Sequence, residues 1–316
     1  MAAQGLLIEA NGLCRDYAAV RAVDGVDLCL ERGEVLGLLG QNGAGKSTTM
    51  DLLCGLLAPS AGRIAIDGVD LLESPRMAKR ALGYLPEYPP LYGEMEVAAF
   101  LRFAAALRGL ARPARRAAVD RVLGLCSLEA VARRPIANLS KGYRQRVGIA
   151  QAIVHDPPAV VLDEPTVGLD PVQIREIRAL IAELGREHGV LLSTHILPEV
   201  QALCSRVAIL HQGRIVHSAP VGEFATSAPA ERVRLALEHP PGESRLAAID
   251  GVTAVEAAGA ATFWLRIDST RTTPAAIAEQ AVTAGWGLNA LVPEQASLEQ
   301  VFVECTTADP SAEPAA

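Results

Sequence analysis

No stretch of this sequence approaches the roughly 18 uninterrupted apolar residues that a membrane-crossing helix needs. If the protein works at a membrane, another chain supplies the membrane part. Met1 to Ala10 lacks the basic start and apolar core of a secretory signal, so no export of the chain itself is expected. Cys14, Cys29, Cys54, Cys126, Cys204 and Cys305 are scattered, without a CxxC pair and without a cysteine-histidine cluster at metal-ligand spacing. That excludes a zinc module and reads as reduced, mostly buried thiols in a cytosolic protein. Basic residues are in deficit, 29 against 36 acids for a net charge of −7, which argues against general affinity for nucleic acid or an anionic membrane. Arg112, Arg115, Arg116 and Arg121 form a local cluster that reads as solvated helix faces. Solenoid-type internal repeats are also missing. What remains is ample apolar material, 50% of 316 residues, enough for one large domain and a smaller one.

The stretch Gly40-Gln41-Asn42-Gly43-Ala44-Gly45-Lys46-Ser47-Thr48 fits GxxxxGK[ST]. It follows the apolar run Val35 to Leu39, read as a buried strand, and precedes a segment from Thr49 to Leu57 that can continue as a helix. In that setting the glycines let backbone N–H groups turn toward phosphate oxygens, and the helix start adds its free N–H groups and positive dipole end. Lys46 is then placed for the β- and γ-phosphates, and the Ser47 hydroxyl for Mg²⁺.

Leu6 to Ala10 and Val26 to Leu30 read as an antiparallel strand pair, with Asp16 and Tyr17 in the turn region between them. Gly62 to Gly68 is a hairpin strand closed by Asp-Gly, and Ala81 to Glu87 a short strand broken by proline. From Val97 to Cys126 the spacing becomes helical, with Val97, Phe100, Leu101, Ala104 and Leu107 on one apolar face and Val119, Val122, Leu123 and Cys126 on a second. An alternation follows: helix from about Lys141 to His155, strand Ala159 to Leu162, helix from about Pro171 to His188, strand Val190 to Ser193, helix near Leu197 to Cys204, strand Arg206 to Leu210. Such alternation predicts a parallel sheet. The expected organisation is a domain over 1–224, with a helical part at about 88–157, a linker at 225–230 and a small unit at 231–305. A disordered tail is expected over 306–316. The small unit reads as a ferredoxin-like βαββαβ sandwich with Phe263, Trp264 and Trp286 in its core. An accessory role in stability or dimer contact suits it better than ligand sensing.

Val160 to Pro165 ends an apolar strand in two carboxylates, Asp163 and Glu164. In a parallel sheet that end faces the same crevice as the phosphate loop, so Asp163 suits the Mg²⁺ shell and Glu164 the attacking water. The competing reading is a helix start whose acids complement its dipole. Asn138 to Arg146 looks like a capped helix start, with Ser140 or Asn138 as cap. Capping and anion binding are compatible there, and a second anion-binding helix start in a chain with one phosphate loop points to nucleotide held by another subunit.

These stretches, in this order, resemble the ATP-binding cassette of an ABC transporter over roughly Leu6 to Phe224. Gly40 to Ser47 is similar to its Walker A, Leu162-Asp163-Glu164 to its Walker B and Leu139 to Gly142 to its signature loop. Val167-Gly168-Leu169-Asp170 resembles the D-loop, His195 the switch histidine that senses the γ-phosphate, and Tyr17 the aromatic that stacks on adenine. Singly, His195 also reads as a satisfied, partly buried histidine and Tyr17 as a surface aromatic. The implied fold is a P-loop α/β cassette: a mostly parallel sheet, an antiparallel β subdomain and a helical subdomain, with a small α+β C-terminal domain added. The resemblance implies ATP and Mg²⁺ as cofactors, with Glu164 and His195 catalytic. Tyr17, Gly40, Asn42, Gly43, Gly45, Lys46, Ser47, Thr48, Ser140, Gly142 and Asp170 are the implied nucleotide contacts, and Ser47, Asp163 and Glu87 the metal contacts. Two positions depart from the pattern: Tyr143 stands where the signature continues with glutamine, and Glu87 replaces the Q-loop glutamine, adding negative charge beside the phosphates.

Leu85-Pro86-Glu87, Leu139 to Arg146 and a C-terminal Ser297 to Phe302 resemble the ATPase subunits of ABC-2 type exporters, including the gliding-motility and nitrous-oxide-reductase-maturation groups. The resemblance implies an ATPase that pairs with a second cassette, as homodimer or as heterodimer with a related one. It implies further a separate integral membrane permease, no nucleic acid partner, and a cytoplasmic place on the inner face of the cell membrane. A soluble ABC ATPase of translation or DNA repair is the alternative; the second cassette or long coiled coil of those proteins is not found in this sequence.

Overall fold

The computed structural model describes residues 5–18, 20–225, 232–294 and 298–307. The expected linker from 226 on and the expected tail from 308 on lie outside the described residues. A helix over Leu298–Thr307 includes 306 and 307, so the tail does not begin at 306. The chain divides into two compact units, Met1–Val221 and Gly222–Ala316.

The first unit opens with two long antiparallel strands, β1 (Leu6–Tyr17) and β2 (Val20–Glu31). The strands outrun the sequence expectation, and Asp16 and Tyr17 are ladder residues, facing Arg21 and Val20, and not turn residues. After β3 (Val35–Leu39) and α1 (Lys46–Leu53) come β4 (Ala61–Ile66) and β5 (Val69–Asp70), joined at Asp67 and Gly68, both with positive φ. That is the backbone a two-residue hairpin needs to match strand twist. The sheet runs β2-β1-β4-β5 and packs Ile8, Leu13, Leu30, Ile64 and Ile66 into a core shared with Met50, Leu52 and Leu53 of α1.

Short α2 (Pro75–Ala78) leads to β6 (Leu82–Leu85), then α3 (Val97–Leu107), α4 (Arg112–Leu125) and α5 (Lys141–Ile153). Strand β7 (Ala159–Asp163) is followed by α6 (Pro171–Glu187), β8 (Gly189–Thr194), α7 (Leu197–Leu203), β9 (Arg206–His211) and β10 (Arg214–Pro220). The second sheet is ordered β10-β9-β3-β8-β7-β6, parallel throughout except for β10. Every residue of β3, β7 and β8 is buried, as expected of a parallel sheet covered on both faces. Its register aligns the strand ends that matter: Leu39 faces Thr194, Asp163 faces Ser193 and Leu85 faces Leu162. Gly40, Glu164, His195 and Glu87 therefore leave the sheet at one edge.

The helical stretch corrects two details. Leu107, assigned to the buried face of α3, is 71% exposed, and Ala105 is buried instead. The helix stops at Arg108, whose guanidinium turns inward to donate to the carbonyls of Lys79 and Leu82. Nor is the arginine cluster merely solvated: Arg115 donates to Leu110 O, and Arg121 to Ile153 O while pairing with Asp156.

The second unit holds β11 (Arg232–Leu237), α8 (Glu243–Ala247), β12 (Val252–Ala257), β13 (Thr262–Ile267), α9 (Pro274–Thr283), β14 (Leu288–Glu294) and α10 (Leu298–Thr307). Its antiparallel sheet is ordered β12-β13-β11-β14. Val233, Leu235, Phe263, Leu265 and Ile277 form its own core, with Trp286 partly buried against it. Trp264 does not join them. Strand alternation puts it on the opposite face from Phe263 and Leu265, where the Arg232 guanidinium lies 4.7 Å from its ring centre.

Candidate functional site

Of the starts of α1, α5 and α6, that of α1 has no side-chain cap. Ser140 Oγ caps α5 by accepting from Tyr143 N, and Asp170 caps α6 by accepting from Val172 N and Gln173 N at 2.9 Å each. At α1 the N-cap is Gly45, with no side-chain cap and no acid in the first turn. Its free N–H groups and positive dipole end thus face a cavity of about 380 Å³. Gly45 itself has φ +104, and a Cβ there would sit 2.6 Å from Ala22 O, so the loop closes this tightly only with glycine.

Asn42, Gly43, Gly45, Lys46, Ser47, Thr48, Glu87, Glu164, Val167 and His195 line that cavity, with Ala22 from β2. Lys46 is 7% exposed and its Nζ donates to Gly40 O at 2.9 Å and to Gln41 O at 3.2 Å. Burial holds its pKa below the usual lysine range, while Glu164, Asp163 and Glu87 pull it back up. Lys46 Nζ also stands 3.8 Å from Glu164 Oε1. That same oxygen lies 2.9 Å from His195 Nδ1, with Oε2 at 3.1 Å. A carboxylate can only accept, so Nδ1 carries the hydrogen in this contact. Glu164 adopts φ +46, a left-handed backbone that costs a non-glycine residue on the order of 1 kcal/mol.

Asp163, 4% exposed at the end of β7, has an Oδ1 without a hydrogen-bond partner among the described residues. Burial pushes its pKa up against the opposing pull of the neighbouring Ser193 hydroxyl, and the negative charges of Glu164 and Glu87 push upward as well. Asp163 is not among the residues that line the cavity; Ser47, Glu87 and Glu164 are, and their oxygens are hard donors of the kind suited to a divalent cation that keeps its other positions for water and phosphate. Among the described residues no group of three or more His, Cys, Asp or Glu is placed to hold a metal ion by itself.

The other residues singled out in the sequence do not line the cavity. Tyr17 is 42% exposed at the end of β1, with the Arg15 guanidinium 4.8 Å from its ring centre. Ser140 and Gly142 sit at the start of α5, packed against the start of α6: a Cβ on Gly142 would come 2.6 Å from the Gln173 side chain, and Lys141 Nζ lies against Gly168. Asp170 caps α6, its Oδ1 accepting from Val172 N and Gln173 N. Sequence reasoning also passed over Ala22, which carries no chemistry, and a buried set around Glu199 that its position on α7, four residues after His195, alone could have flagged.

A sequence profile of the ABC transporter family matches residues 23–167. The chain is 34% identical over 216 residues to the bacitracin transport ATP-binding protein BcrA of Bacillus licheniformis, covering 68% of this chain and 70% of that one. It is 39% identical over 200 residues to the ABC transporter ATP-binding protein NatA of Bacillus subtilis (strain 168), covering 63% and 81%. Among solved structures, cbiO1 from Clostridium perfringens, part of the ABC transporter complex cbiONQ, matches with a TM-score of 0.64 at 30% identity over 71% of this chain and 92% of that one.

Proposed function

The chain belongs to the ATP-binding subunits of ABC transporters, which bind and hydrolyse ATP, and from that premise we propose how its residues divide the work. Two cassettes pair face to face. In each, Gly40 to Thr48 and α1 hold the phosphates, Lys46 leaves the loop carbonyls for them, and Tyr17 stacks on the adenine. Ser47, Asp163 and Glu87 hold Mg²⁺, which when bound neutralises phosphate charge. Ser140 and Gly142 arrive from the partner cassette, carried with the 167–170 loop against which α5 packs.

The contact of His195 Nδ1 with Glu164 Oε1 carries this reading, because it aims a buried carboxylate and an imidazole into the phosphate cavity together. Glu164 accepts the proton of the attacking water at its carboxylate, and the His195 hydrogen bond holds that carboxylate in place. Fixed charges at the cavity wall supply the larger share of catalysis. Closure of the pair moves a separate membrane permease, and hydrolysis reopens it. No helix among the described residues is long and apolar enough to cross a membrane, which suits a subunit bound to the cytoplasmic side of that permease. The naming of a relative for bacitracin transport supports an exporter.

Glu164→Gln tests the assignment. The variant should bind ATP, form an ATP-dependent dimer on a sizing column, and lose about 100-fold or more in turnover. Hydrolysis at the wild-type rate would remove Glu164 from the role.

A further inference from the structure

Glu199 on α7 is 1% exposed and takes no part in the chemistry above. Its Oε1 accepts from Thr166 Oγ1 and lies 3.8 Å from Arg178 Nη2, and its Oε2 accepts from Thr194 Oγ1 at 2.9 Å. The three partners come from three segments. Thr166 stands two residues after Glu164, Thr194 directly before His195, and Arg178 on α6, the helix whose first turn packs on Gly142. Thr194 Oγ1 also accepts from Ile196 N at 3.1 Å, so the hydroxyl bound by Glu199 closes the turn that presents His195.

A carboxylate this deep must be paired, and pairing alone could be met by any donors. Here one hydroxyl stands two residues after Glu164 and the other directly before His195, the two partners in the catalytic contact. We infer that Glu199 is a positioning residue for hydrolysis: it fixes the 164–166 and 194–196 segments to one buried anchor and so sets the distance between Glu164 and His195. Through Arg178 it fixes α6 to the same anchor, and with it the start of α6 that carries the 167–170 loop and faces Gly142. None of its bonds reaches residues 40–48, so phosphate binding is independent of it. Misplacement by about 1 Å at a reacting pair suffices for a large loss of rate.

The inference rests on the roles given to Glu164 and His195 above, and the experiment separates the two. Steady-state ATP hydrolysis by the full chain is measured for wild type, Glu199→Gln, His195→Ala and the double variant. Glu199→Gln should lose about tenfold in kcat with KM for ATP within about twofold, and the double variant should fall no further than His195→Ala alone. A Glu199→Gln rate within about twofold of wild type, or losses that multiply in the double variant, would overturn the inference while leaving His195 in place. A wild-type rate for His195→Ala would overturn the underlying reading, and this one with it. If Glu199→Gln does not fold, Thr166→Val takes its place in the same cycle, since it removes one donor and leaves Thr194 and Arg178 on the carboxylate. Non-additivity with His195→Ala then supports the positioning role, and additivity removes it.

Discussion

His155 gives the fold a measurable dependence on pH. It follows α5, and its Nε2 donates to Leu82 O at 3.2 Å; that carbonyl can only accept, so Nε2 carries the hydrogen. Arg108 donates to the same carbonyl at 3.2 Å, and together they tie α3 and the end of α5 to the start of β6, the strand that leads to Glu87. His155 Nδ1 is buried without a partner among the described residues, so a second proton has nothing to donate to. Burial, reinforced by the charge of Arg108, holds the imidazole pKa down to about 4, from 6.5 when free. The sign follows: the unfolded chain takes up the proton at higher pH than the folded one, so this site's stability is whole above about 6.5 and erodes as pH falls toward about 4. Integrating between pH 7 and pH 5 gives a loss of about 2 kcal/mol from this one group. His155→Gln keeps an N–H for Leu82 O and removes the titration, so it should lose about 2 kcal/mol less than wild type over the same interval. The assay must read the first unit. Both tryptophans, Trp264 and Trp286, belong to the second, so amide exchange in α5 and β6 is the measurement and tryptophan fluorescence is not. Equal losses in the two proteins, to within about 0.5 kcal/mol, would mean that His155 is not held neutral by burial.

Two further outcomes follow from the site. Asp163→Asn removes a buried charge whose Oδ1 has no partner and whose pKa is pushed up by burial; a raised carboxylate pKa means the ionised form burdens the fold increasingly as pH rises. Without added metal the variant should therefore melt higher than wild type at pH 8, while Mg²⁺-dependent turnover falls about 100-fold or more; a lower melting temperature would contradict the orphaned-carboxylate account. Gly142→Ala places a Cβ against the movable end of Gln173, so stability should change by less than about 1 kcal/mol and ATP binding to the single chain should persist, while ATP-dependent pairing weakens. Unchanged pairing by light scattering would remove Gly142 from the interface.

The parts legible in the sequence are those whose chemistry is local. A phosphate loop needs consecutive backbone N–H groups, so Gly40 to Thr48 and α1 declare themselves within a short stretch. Asp163, Glu164 and His195 end buried strands, and strand ends of a parallel sheet meet at one edge, so their convergence followed from the alternation of elements. The misreadings have the complementary cause. Leu107 fits the helical period, but Arg108 needed the space below it for two carbonyls more than 25 residues away in sequence. Trp264 was placed in a core by its size, though the alternation of β13, with Phe263 and Leu265 inward, already turned it out.

Asp170 and Glu199 show the same division at the site itself. Both are acids beside motif residues, and composition does not say which faces phosphate. Asp170 is engaged by N–H groups two and three residues on, which its place before Pro171 at the start of a helix could have announced. The partners of Glu199 lie 33, 21 and 5 residues away, on a loop, a helix and a strand end that meet only once the sheet has formed. Glu199, 1% exposed, is committed to two threonines and an arginine and is not among the residues that line the cavity. Its influence on hydrolysis can pass only through the segments it holds, so its signature is a loss of kcat that vanishes once His195 is gone.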